Sequence, residues 1–157
     1  MSNLLESIQF MRLLKEFSFF DESIFHGPSP LKNYGYEVGK SSRLSPEQRR
    51  EKLYSFWIAR YGDRITDPVK TEWGAPKSNE RLLAMRRHIS AMAFLRYKDP
   101  RKDTYRRAIC DWVEDIDFLE AIYLSDGIKN KAKWPQLSHD ILEFVNGGEL
   151  DFDTIPF

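Results

Sequence analysis

Residues 101–124 read RKDTYRRAICDWVEDIDFLEAIYL, which is the most regular helical pattern in the chain. Apolar side chains recur in this stretch every three or four residues, from Tyr105 through Trp112 and Ile116 to Leu119. This spacing places them on one face of an α-helix, because a helix completes a turn in 3.6 residues. We therefore predict a central helix over 101–124, with Trp112, Ile116 and Leu119 in the core.

Further helices are predicted on both sides of this stretch. Each is indicated by an apolar stripe with a capping residue or a helix breaker at its ends. The second helix starts most clearly, since Ser45-Pro46-Glu47-Gln48 combines an N-cap serine, a proline at the first helical position and the glutamine of a capping box. The expected ranges are 4–18, 46–61, 79–97 and 136–145, the last ending at Asn146-Gly147-Gly148.

Two long irregular connections separate these helices. Residues 21–44 are rich in Gly and Pro, and their length is unusual for a loop inside a compact domain, so they form either a wrapped arm or a moving recognition segment. Residues 62–77 are broken by several prolines and glycines, and Trp73 within them is expected to plug the core. The fold class is thus all-α: one domain over 1–157, a compact bundle of four to five helices with two long irregular connections.

The zero net charge conceals a strong segregation of charge along the chain. Residues 40–107 hold 18 Lys/Arg against 8 Asp/Glu, whereas residues 108–157 hold 3 against 11. A chain divided in this way either neutralises itself across an internal interface or presents a basic face to an anionic partner.

Arginine dominates the basic segment, and its planar guanidinium group suits phosphate recognition. Cations crowd the start of the 101–124 helix, where the helix dipole disfavours them, and carboxylates crowd its second half. Such a departure from a local rule indicates either a functional demand or an acidic half docked on a neighbour's basic face. Lys77 is of interest because the amides of the helix start at Ser78 can hold a phosphate. The residues expected to bind an anion or nucleic acid are Arg49, Arg50, Lys77, Arg86, Arg87, Arg101, Lys102, Arg106 and Arg107.

The other titratable residues are interpreted as structural. His88 borders an apolar stripe and is expected to lie at the core edge, and Cys110 is expected to be an inert buried thiol. Asp111, Glu114 and Asp115 form a carboxylate patch, which we interpret as solvated surface rather than a metal site. No catalytic residue, metal-ligand set or cofactor motif is indicated, since neither HExxH nor a P-loop is present.

A binding protein is the function class that these patterns favour. The single cysteine cannot form an intramolecular disulfide, and no apolar run reaches the 18 residues of a membrane span, so we expect a cytoplasmic protein that does not cross a membrane. The leading hypothesis is a non-enzymatic protein that engages nucleic acid or a nucleoprotein complex through its basic middle segment. The main alternative is a subunit or adaptor that docks on another protein or on a second copy. A small metal-dependent hydrolase is less favoured.

Overall fold

The computed structural model describes residues 30–60, 73–129 and 131–153, and this part of the chain is all-helical with no strand. The predicted all-α class is therefore confirmed. The predicted helix over 4–18 lies outside the described residues, as do residues 21–29 of the first long connection. The helices are α1 (Pro30–Asn33), α2 (Pro46–Ile58), α3 (Asn79–Lys98), α4 (Arg106–Leu124) and α5 (His139–Asp153).

Helix α4 lies at the centre of the fold and contacts α2, α3 and α5, most extensively α3. Its predicted apolar face is confirmed, because Trp112, Ile116 and Leu119 are buried in the core. Burying large side chains from one stripe stabilises the bundle by roughly 1.5–3 kcal/mol per residue.

The start of α4 corrects the predicted range, since the helix begins at Arg106 and not at residue 101. Residues 101–105 form successive tight turns, in which the amide of Lys102 donates to the Asp99 carbonyl at 2.9 Å. The Asp99 side chain accepts from the Arg101 amide at 2.8 Å. An aspartate that bonds the backbone two residues ahead favours a turn over a helix, which explains the later start.

Helix α2 begins as predicted and ends three residues early. The capping box at Ser45 is confirmed: the Gln48 amide donates to the serine Oγ at 3.2 Å, and the Ser45 amide donates to Gln48 Oε1 at 2.8 Å. The helix ends at Ile58 rather than Tyr61 because groups from another part of the chain take its last carbonyls. The buried Arg81 guanidinium donates to the carbonyls of Phe56, Trp57 and Ala59, and the Lys77 amide donates to the Trp57 carbonyl at 2.7 Å.

Helix α3 agrees with its predicted range to within one residue. Ser78 is its N-cap, and its Oγ accepts from the Arg81 amide at 3.1 Å. Trp73, just before this start, is fully buried and meets Phe56 edge to face at 4.9 Å between ring centroids. The predicted core role of Trp73 is confirmed.

Helix α5 corrects the prediction at both ends. It runs over His139–Asp153 instead of 136–145, and Gly147-Gly148 lie within it. Its start is set by Ser138, whose Oγ accepts from the Asp140 amide at 3.2 Å. Glycine costs about 1 kcal/mol in a helix interior, which lowers stability without forcing an end.

The arm, defined here as residues 30–44, lies against α4. Leu31 and Tyr36 are buried, and the Gly39 amide donates to Asp111 Oδ2 at 3.0 Å. Gly39 has a φ of +89°, and a Cβ at this position would stand 3.3 Å from the Ala108 Cβ. The close approach and the left-handed backbone therefore both require glycine here.

Candidate functional site: a basic junction beside a cavity

The densest cluster of positive charge lies where α3 passes into α4. We call residues 96–107 the basic junction. It carries six cationic residues against two carboxylates, Asp99 and Asp103, which gives it a net charge of +4. The cations are Arg96, Lys98, Arg101, Lys102, Arg106 and Arg107.

The start of α4 adds to this positive charge. Arg106 and Arg107 are its first two residues, its first turn contains no acidic residue, and its N-cap Tyr105 makes no side-chain capping bond. The first turn of a helix carries a partial positive charge from its amide groups. The helix end and the cationic side chains therefore reinforce one positive potential.

Aromatic rings support the cationic groups of the junction. The Arg96 guanidinium lies 4.6 Å from the Tyr105 ring centroid, and the Lys102 ammonium lies 4.8 Å from that of Tyr97. The Arg106 guanidinium lies 3.8 Å from the centroid of Phe144 on α5. Cation–π contacts of this kind hold a side chain in place without neutralising its charge.

The ion pairs of Arg101 and Arg107 leave both cationic side chains largely exposed. Arg101 lies 3.2 Å from Asp99, and the hydrogen bonds from Arg101 lower the pKa of this aspartate. Arg107 lies 3.4 Å from Asp111. The side chains of Arg101 and Arg107 are 69% and 64% exposed, although Asp111 is itself buried. A solvated pair such as Arg101–Asp99 stabilises the fold only weakly. Both guanidinium groups can exchange these partners for a phosphate.

Arg49, predicted on the basic surface, is instead buried beneath α4. Its side chain is 2% exposed, and its Nε donates to Asp115 Oδ2 at 2.8 Å. Its Nη1 lies 3.6 Å from Asp111 Oδ1. The interpretation of Asp111 and Asp115 as solvated surface is therefore corrected: both carboxylates are buried as partners of this arginine. The described residues contain no group of three His, Cys, Asp or Glu that could hold a metal ion.

The network around Asp115 ties the arm to α2 and α4. Burial raises the pKa of Asp115, and the hydrogen bonds from Arg49 and Tyr36 oppose that rise. The Tyr36 hydroxyl donates to Asp115 Oδ2 at 2.6 Å, and burial beside this carboxylate raises the tyrosine's pKa well above its ordinary value. These groups explain why the arm holds its position across α4.

The other predicted binding residues are divided between the interior and separate surfaces. Arg86 is buried and donates to the Gln136 carbonyl at 3.2 Å, which ties α3 to the chain before α5. Arg87, partly exposed, lines a separate cavity of about 350 Å³ with Lys133. Arg50 is 39% exposed and lies 3.2 Å from Glu114.

The helix start at Ser78, where Lys77 is predicted to help hold a phosphate, already uses part of its amide groups within the fold. Lys77 is exposed, but its amide donates to the Trp57 carbonyl, and the Arg81 amide donates to Ser78 Oγ. Two of the amide groups that would have met an anion are therefore already used within the fold.

A cavity of about 620 Å³ adjoins the basic junction, between the arm and helices α3 and α4. Arg96, Thr104 and Tyr105 line it and also belong to the junction. Sequence reasoning missed this cavity and the role of Arg96. The one available signal was the run of aromatic residues and glycines in the arm, which indicated close packing without showing what it enclosed.

Comparison with known protein families, with curated proteins and with solved structures finds no match for this chain. No helix within the described ranges is long and apolar enough to cross a membrane. Function must therefore be argued from the geometry and charge of the site.

Proposed function

We propose that this chain is a non-enzymatic binding protein of the cytoplasm that engages nucleic acid through the basic junction. The observation that supports this proposal is the excess of cations over carboxylates in residues 96–107, with guanidinium and ammonium groups held over aromatic rings. A positively charged surface with interleaved aromatic side chains is typical of proteins that bind nucleic acid strands.

The chemistry of the junction fits a phosphate backbone better than a single small anion. Its cations are spread over twelve consecutive residues, and the arginine forks match phosphate oxygens in pairs. Arg101 and Arg107 are the most suitable phosphate ligands, since both side chains remain largely exposed in their present ion pairs.

The test is fluorescence anisotropy with labelled mixed-sequence RNA and DNA oligonucleotides over a range of salt concentrations. Each phosphate contact contributes about −0.7 to the slope of log K against log salt for single strands and about −0.9 for duplexes. The double variant Arg101→Gln/Arg107→Gln should weaken binding and reduce the slope by about two contacts. Glutamine is chosen so that no like charge is placed beside Asp111.

The matched control is Arg60→Gln. Arg60 is exposed and follows Ala59, whose carbonyl accepts from Arg81 near the start of α3. The length of α3, about 30 Å at 1.5 Å per residue, separates that end of the bundle from the junction. The control should bind as the wild type does. Equal loss in Arg60→Gln, or no salt-sensitive binding of any polyanion by the wild type, would reject the proposal.

A role as a protein-interaction subunit is the second candidate. Tyr54 and Ile58, one turn apart on α2, are 44% and 42% exposed, and Leu124 and Ile128 are 60% and 56% exposed. Sedimentation equilibrium tests self-association through these residues. A dimer that is lost in Tyr54→Ser/Ile58→Ser favours docking of a second copy, and a monomer at all concentrations argues against it.

A further inference from the structure

The cavity beside the basic junction has the size and walls of a ligand site. Its volume of about 620 Å³ lies within the roughly 300–1,000 Å³ typical of such sites. Tyr36 from the arm, Ile89 and Met92 from α3 and Trp112 from α4 supply apolar and aromatic walls. A flat, weakly polar group fits such walls better than a hydrated ion does.

Cationic residues outnumber carboxylates in the lining of the cavity. Lys32 and Lys40 of the arm and Arg96 of α3 line it, against one carboxylate, Glu37. Lys32 and Lys40 are exposed, so phosphates outside the cavity can reach them. The ligand therefore combines a flat group inside with negative charge outside.

The cavity is continuous with the surface proposed above to bind phosphates. Arg96 lines the cavity while its guanidinium lies over the Tyr105 ring, and Tyr105 also lines the cavity. The Arg101 guanidinium lies 5.6 Å from the centroid of the same ring. One tyrosine therefore connects the cavity to the exposed arginines of the junction.

His88 adds a polar group to these walls. Burial lowers its pKa to about 4, so its imidazole is neutral at pH 7. A neutral imidazole adds no positive charge to the wall, so this part of the cavity suits an uncharged heterocycle rather than an anion.

Building on the proposed function, we propose that this cavity accepts one unpaired base of a single-stranded nucleic acid whose phosphates lie on the basic junction. Stacking against aromatic side chains is worth about 1–3 kcal/mol per base, which corresponds to roughly 5- to 150-fold in affinity. A duplex keeps its bases paired and stacked, so it can use the junction without filling the cavity.

The experiment compares three ligands of equal phosphate count: a single strand, the same strand without bases, and a duplex. The wild type should bind the single strand roughly 5- to 150-fold more tightly than the abasic strand. Met92→Trp fills the cavity from α3 and should reduce single-strand affinity to the abasic level with an unchanged salt slope. Val38→Trp fills the same cavity from the arm, so the test can still be made if Met92→Trp does not fold.

Leu83→Trp is the matched control. Leu83 is a partly buried apolar residue on the same helix, but it lines the separate cavity of about 350 Å³. This variant should keep the wild-type preference for the single strand.

The outcomes separate the two proposals. If the wild type binds all three ligands equally, the cavity takes no base, while the proposed function stands. The same conclusion follows if folded Met92→Trp and Val38→Trp keep the single-strand preference. If both variants fail to fold, the abasic comparison on the wild type decides. If no polyanion binds, the proposed function fails, and the base-binding proposal fails with it.

Discussion

Replacing Arg49 with methionine should destabilise the protein severely. The substitution introduces an unbranched apolar side chain and removes the guanidinium charge that faces Asp115. Asp115 is fully buried, so its carboxylate would lose its closest cation while remaining shielded from water. Breaking a buried ion pair on one side costs about 3–5 kcal/mol.

This loss of unfolding free energy corresponds to a large decrease in Tm. For a domain of this size, 1 kcal/mol corresponds to about 2–4 °C in Tm, so Arg49→Met should lower Tm by about 6–20 °C. Thermal and urea unfolding followed by circular dichroism measure this directly. Arg50→Met is the matched control, since Arg50 is the next residue, is 39% exposed and pairs with the exposed Glu114. Arg50→Met should lower the free energy of unfolding by less than about 1 kcal/mol.

The pH dependence gives a second and more specific readout. Without Arg49, burial raises the pKa of Asp115 further, because the opposing guanidinium is gone. A folded-state pKa above the unfolded value means that stability is complete below the unfolded pKa and is lost as pH rises through the folded pKa. The cost of Arg49→Met should therefore shrink as pH falls from 7 through the raised folded pKa of Asp115, by up to about 1.4 kcal/mol per pH unit.

A double variant separates charge from packing. Arg49→Met/Asp115→Asn removes both charges and leaves the Tyr36 hydroxyl an amide oxygen as acceptor. It should be more stable than Arg49→Met alone, because the uncompensated buried charge of Asp115 is gone. A cost for Arg49→Met below about 1 kcal/mol, or one that stays constant from pH 7 down to the ordinary pKa of an aspartate, would refute the reasoning.

Three further substitutions test the core and the helix ends. Trp73→Ala should cost about 3–5 kcal/mol in urea unfolding, because Trp73 is fully buried, and an unchanged midpoint would place it at the surface. Arg81→Met frees the last carbonyls of α2 and should cost at least about 3 kcal/mol; a smaller loss would show that water replaces the guanidinium. His88 has a folded pKa of about 4, below its unfolded value of 6.5, so the wild type loses stability as pH falls from 6.5 towards 4. His88→Leu should lack this loss of up to about 1.4 kcal/mol per pH unit, and parallel pH profiles would contradict the assignment.

Features encoded by neighbouring residues could be predicted from the sequence. The capping box at Ser45 and the period of α4 depend on residues within one or two turns, and both are present in the structure. Helix ends set by distant groups could not be predicted. The end of α2 depends on Arg81, whose guanidinium reaches carbonyls 22 to 25 positions away.

The candidate site likewise combines a feature that neighbouring residues encode with one that depends on distant residues. The crowding of cations at residues 101–107 was visible in the sequence, and the structure leaves Arg101 and Arg107 exposed. The sequence predicts a surface position for Arg49, because an arginine flanked by polar residues is usually exposed, and this prediction is wrong. Its burial depends on Asp111 and Asp115, which lie more than 60 positions away and directly precede Trp112 and Ile116 of the apolar face.

The reversed charge order of α4 has two different causes in its two halves. In the middle of the helix, Asp111 and Asp115 face Arg49 of α2, and that internal pairing explains why carboxylates are tolerated there. At its start, the ion pairs of Arg106 and Arg107 within the described residues reach only Asp103 and Asp111, three and four positions away.

The helix dipole disfavours both cations by about 0.3–1 kcal/mol each. Arg106 has a compensating contact from α5, since it donates to the Phe144 carbonyl and lies over the Phe144 ring, whereas the ion pair of Arg107 lies within α4 itself. A bound polyanion would remove the unfavourable interaction with the dipole, so binding and the stability of α4 must be coupled. A polyanion that binds only the folded chain should raise its Tm by mass action, and the rise should be smaller in Arg101→Gln/Arg107→Gln.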